Sequence, residues 1–76
     1  MIPLTYATTG EPCVIGRIAG ETAIRQHLET IGLTVGSTVS LVSSFSGNVI
    51  VQVREGRVAI GKDLANKIWI QQKARD

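Results

Sequence analysis

Val49-Ile50-Val51-Gln52-Val53-Arg54-Glu55-Gly56-Arg57-Val58-Ala59-Ile60 decides the fold. Val49, Val51 and Val53 take every second position, and Val58 and Ile60 resume the same beat after Glu55-Gly56. Side chains of a strand alternate between its two faces, so a period of two predicts two strands that hide valine and isoleucine on one side. Glycine adopts the positive φ of a tight connection at no steric cost, and Gly56 therefore marks a hairpin turn.

The same period continues outward in both directions. Val39 and Leu41 mark a preceding strand, joined through the turn Ser46-Gly47-Asn48, and Ile68 and Ile70 mark a last one. Gly61 to Lys67 leaves room for one or two helical turns, with Leu64 and Ala65 available to face inward. Upstream, Gly10-Glu11-Pro12 reads as a turn, and Cys13 to Ala19 as a strand with Val14, Gly16 and Ile18 on one face and Ile15 and Arg17 on the other.

One helix interrupts the strands. Ile24, Leu28 and Ile31 recur at i, i+4 and i+7, which predicts a helix over 21–31 with a single apolar stripe, and Gly32 stops it. Burying each large aliphatic side chain contributes about 1.5–3 kcal/mol, so the stripe must pack against a sheet. The expected architecture is all-β: five antiparallel strands paired in order, one inserted amphipathic α-helix and a short helical turn before the last strand. Such a set closes best as a small barrel, because closure removes the exposed edges of an open sheet.

Seventy-six residues suit a single domain over 1–76, with an ordered core of about 3–71 and a polar tail at 72–76. Apolar residues make up 43% and charged residues 18%, a globular balance. A net charge of +2 is too small to define a nucleic-acid binder. Cys13 is the sole cysteine and can form no internal disulfide, which points to a reducing compartment. No run approaches the ~20 apolar residues that cross a bilayer, so a cytoplasmic protein without direct membrane insertion is expected.

The candidate chemistry is thin. Gly56 to Asp63 comes within one residue of the phosphate-loop pattern G-x-x-x-x-G-K-[ST], but Val58 and Ile60 alternate as a buried strand there, and Asp63 replaces the hydroxyl that would hold magnesium. His27 is the only histidine and has no orienting partner placed by sequence; beside the apolar stripe it reads as a rim residue. Cys13 reads as a small apolar strand residue. Together they supply two of the roughly four ligands that a structural zinc ion takes. Tyr6, Phe45 and Trp69 are few for a surface that stacks nucleic-acid bases, and Arg54 and Arg57 beside a turn read as solvated. No catalytic, metal-binding or cofactor-binding residue is assigned. Trp69 faces away from Ile68 and Ile70, and Ile50 and Ile15 are likewise out of register with their inward neighbours. Either the N-terminal segment Ile2, Leu4, Tyr6 or the helix covers these residues, or they form an apolar docking patch.

The chain also carries a resemblance. Arg25-x-x-Leu28-x-x-Ile31-Gly32-Leu33-x-x-Gly36, the turn Gly10-Glu11, and Val58-Ala59-Ile60-Gly61-Lys62-x-Leu64-Ala65-x-x-Ile68 are similar to the FeoA family of bacterial ferrous iron transport, over about Leu4 to Ile70. The resemblance implies an SH3-like barrel with no enzymatic activity, a cytosolic accessory that docks on FeoB, a membrane Fe(II) transporter with its own GTP-binding domain. Gly32, Leu33 and Gly36 match the helix-exit turn, and Leu64 and Ala65 the short helix that plugs the barrel. Arg25, His27, Glu29 and Leu33, on the helix exterior and its exit, are the expected partner-binding residues, and Trp69, on the last strand, is added to them. Family members often carry a basic residue where His27 stands, which would make a contact there weaker or pH-dependent. A metal-ion-responsive regulatory module and a small nucleic-acid-binding barrel are the alternative readings, and self-association into a homo-oligomer is left open.

Overall fold

The hairpin forms as its period demands. In the computed structural model, which describes residues 1–54 and 56–72, strands β4 (Asn48–Val53) and β5 (Gly56–Ile60) pair antiparallel with Val51 opposite Val58 and Val49 opposite Ile60. Val49, Val51, Val53 and Ile60 are buried. Glu55 of the expected turn and 73–76 of the expected tail lie outside the described residues.

Around this hairpin the chain runs β1 (Ile2–Pro3), a 3-10 turn (Leu4–Tyr6), β2 (Pro12–Ile18), α1 (Thr22–Thr30), β3 (Thr38–Phe45), β4, β5, α2 (Lys62–Ala65) and β6 (Ile68–Gln72). The strands form one antiparallel sheet of order β1-β6-β2-β3-β4-β5, coiled into a small barrel. The expectation of five strands is exceeded by one, because Ile2 and Pro3 lie along β6 opposite Ile70 and Trp69. The last strand does not follow its neighbour in order either. The α2 turn separates it from β5, and β6 crosses to pair with β2, which brings the two ends of the strand series together.

Two bulges reset the alternation. On β2, Ile15 stands opposite Ile70 and Arg17 opposite Trp69, so Gly16 is the extra residue. Cys13, Ile15 and Ile18 consequently all point into the core. The expected grouping of Ile15 with Arg17 is therefore wrong, since one inserted residue exchanges the faces beyond it. The Met1 thioether packs where a Cβ at Gly16 would lie. On β3 the register slips between Leu41 and Ser43, with Val42 as the extra residue.

The core gathers Leu4 from the 3-10 turn, Leu28 from α1, Leu33, Ala65 from α2, and the inward residues of β2 to β6. Leu28 is fully buried, while Ile24 and Ile31 flank it half-buried, as a stripe lying on a barrel should. Cys13 is buried with its thiol donating to the Val39 carbonyl at 3.4 Å, and desolvation pushes the thiol's pKa up.

Candidate docking surface

The exit of α1 follows from a single glycine. Gly32 takes φ +96, the left-handed conformation that ends helices at low cost. Its N–H donates to the Glu29 carbonyl at 3.0 Å, and the Leu33 N–H donates to the Leu28 carbonyl at 2.8 Å. This pair of bonds is the Schellman arrangement, which folds the residue after the glycine back against the helix. Leu33 accordingly has no exposed surface. Its expected part in partner contact is corrected: Leu33 packs in the core with Leu28 and holds the turn from within.

A second turn then fixes the loop beyond. Ser37 N–H donates to Thr34 O at 3.0 Å, and the Thr34 and Ser37 hydroxyls lie 2.5 Å apart. Gly36 N–H donates to Ile15 O at 2.7 Å and Ile15 N–H to Ser37 O at 2.9 Å, which ties the turn to β2. Val35 sits at its tip, 61% exposed.

Facing this turn is the outer side of α1. At 3.6 residues per turn, Thr22, Arg25, Gln26 and Glu29 share one face. With Thr34 and Val35 they line a groove of about 430 Å³ that Ile18 floors. The structure thus brings Arg25 and Glu29 together, opposite charges beside an exposed valine. His27 is exposed but flanks the buried stripe on its other side, about 150° around the axis from the groove. Trp69 is half-buried on the outer face of β6, between Pro3 of β1 and Arg17 of β2, and does not line the groove. Val35 escaped the sequence reading because a lone valine in a loop carries no periodic signal. Ile50 stays 39% exposed on the outer face, and Phe45 is 79% exposed.

The remaining candidates take ordinary structural places. Gly56 to Asp63 is the β5 strand followed by the start of α2, with no loop to wrap phosphate. Among the described residues no three His, Cys, Asp or Glu side chains are grouped so as to hold a metal ion, and no helix is long and apolar enough to cross a membrane.

A small coiled antiparallel barrel, capped by a short plug helix and carrying one amphipathic helix with a groove at its exit, defines the class: an SH3-like domain. The FeoA domain family model matches residues 2–72, so the chain belongs to the FeoA family. It is 31% identical over 71 residues to a Methanocaldococcus jannaschii protein provisionally named Fe(2+) transport protein A, an alignment covering 93% of this chain and 87% of the relative. A crystal structure of FeoA, described as an iron uptake regulatory protein, superposes with a TM-score of 0.83 at 33% identity, covering 95% of this chain and 96% of that one. The same fold recurs in a structure of ScaR with bound Zn2+, at a TM-score of 0.82 and 20% identity, where 96% of this chain matches 37% of the other.

Proposed function

We propose that this chain is a small cytoplasmic accessory of ferrous iron uptake that docks on the cytosolic part of a FeoB-type Fe(II) transporter and performs no chemistry itself. Family membership supports the pathway. The observation that carries the docking mode is the groove between α1 and the 34–37 turn, where Arg25, Glu29 and Val35 converge on a scaffold fixed by backbone hydrogen bonds. A preformed groove loses little entropy on binding, and an exposed apolar residue flanked by opposite charges suits a specific contact of moderate strength. Calorimetry with the purified cytosolic domain of the transporter tests this reading. Micromolar association is expected, weakened about tenfold or more by Val35→Asp and by Arg25→Glu. Absence of association at micromolar concentrations, or equal binding by both variants, overturns it.

A further inference from the structure

The outer face of α1 carries its charges against the helix's own electrostatics. A helix dipole favours acids near the N-terminus and cations near the C-terminus, and an i,i+4 pair is stronger with the acid first. In α1 (Thr22–Thr30) the order is reversed: Arg25 stands in the N-terminal half and Glu29 in the last turn. Both are exposed, and among the described residues neither side chain has a hydrogen-bond or ion-pair partner within the chain. Both line the groove with Thr22, Gln26 and Val35.

An antiparallel helix laid along this face relieves the conflict. Its N-terminal end lies beside Glu29 and its C-terminal end beside Arg25, so its dipole complements both charges. It should also carry an acid opposite Arg25 and a base opposite Glu29, at the same four-residue spacing read backwards. The α1 helix of a second copy has that pattern by construction. A two-fold axis midway between positions 25 and 29 brings Arg25 of each copy to Glu29 of the other. Axes of packed helices lie about 8–10 Å apart, a gap that an arginine and a glutamate span together. Other arrangements of the same two helices fail: an axis level with Arg25 or with Glu29 opposes like charges, and a parallel copy in register sets Arg25 against Arg25. Thr22 and Gln26, the other helix residues of the face, are uncharged, and His27 lies on the far side of α1.

We propose that this chain self-associates through α1, as an isologous pair held by two reciprocal Arg25–Glu29 contacts, with Val35 of each copy at the margin. Exposed ion pairs contribute little each and are screened by salt, so the pair is weak and forms at high protein concentration and low ionic strength. It covers the groove assigned above to the transporter. By that docking reading, which the pair itself does not require, the chain meets the transporter as a monomer.

Sedimentation velocity on the full chain, from about 10 µM to about 1 mM, spans the weak affinities such a contact gives. A reversible dimer should appear at low salt and loosen at about 1 M salt. Arg25→Glu and Glu29→Arg should each weaken self-association at least fivefold, because each sets like charges across the axis. An equimolar mixture of these two variants should regain native-like association, since the opposed pairs are then of opposite sign again. If either variant has a lost fold by its amide spectrum, the double variant Arg25→Glu with Glu29→Arg replaces the mixture and should associate as the native chain does. A chain that stays monomeric throughout, undiminished association by either single variant, or no recovery in the mixture or the double variant each overturns the proposal. These measurements contain no transporter, so their failure leaves the docking reading to its own calorimetry.

Discussion

Asn48 Oδ1 accepts a hydrogen bond from the Lys62 backbone N–H at 2.9 Å, which joins the first residue of β4 to the first turn of α2. The cap residue of that helix, Gly61, has no side chain to supply such an acceptor, so a residue fourteen positions upstream does the work of an N-cap. Four helical residues cannot hold themselves together in water, and this bond fixes the plug that sets Ala65 in the core. Asn48→Ala should lower stability by about 1 kcal/mol, while Asn48→Asp, which keeps the acceptor, should cost less. Urea unfolding of the three proteins gives the comparison.

The neighbouring hairpin holds a correctable strain. Ser46 takes φ 52 and Gly47 φ 85, a two-residue turn between the paired Phe45 and Asn48. Both positions of such a turn need positive φ, which Asn and Gly adopt more readily than Ser. Ser46→Asn should raise stability by about 0.5–1 kcal/mol, a rise in Tm of several degrees for a domain of this size. Gly47→Ala should do the reverse, because a Cβ there would lie 2.7 Å from Lys62 Cδ on top of the backbone strain.

Leu33 and Val35 are two residues apart and should behave as opposites. Leu33→Ala opens a cavity beside Leu28 and should cost about 2–5 kcal/mol. Val35→Ala, at an exposed tip, should change stability by less than about 0.5 kcal/mol. A binding defect in the first variant would therefore report unfolding, whereas one in the second would report the surface. Thermal melts run beside any binding assay separate the two.

Cys13 should be chemically quiet and should impose a pH dependence on stability. Burial pushes its thiol above the usual value of 9.0, so the unfolded chain releases this proton more readily than the folded one. The contribution is whole below about 9.0 and declines as pH rises past it. Urea unfolding at pH 7.5 and pH 10 should show a steeper loss for the native sequence than for Cys13→Ala. A thiol reagent should label the folded protein far more slowly than the protein in denaturant.

Much of this architecture was legible in short stretches. The beat of Val49, Val51 and Val53 and the stripe of Ile24, Leu28 and Ile31 each follow from the geometry of a single element, and glycines at 32, 47 and 56 announced turns that have the positive φ expected of them. Arg25 and Glu29 could be placed on the helix exterior for the same reason. The sequence by itself thus determined where β2 to β6, the helix and these turns lie, because those choices rest on contacts between near neighbours. β1 carried no such signal, because only its pairing with β6 makes it a strand.

Tertiary structure alone decided the rest. The bulges at Gly16 and Val42 appear only when two strands must keep register over a curved core, and they put Ile15 inside and Phe45 outside. Leu33 disappears into the core because Gly32 turns the chain onto Leu28, and β6 leaves β5 to pair with β2 because α2 stands between them. Side chains distant in the chain compete for the same interior volume, and that competition has no counterpart in any local pattern.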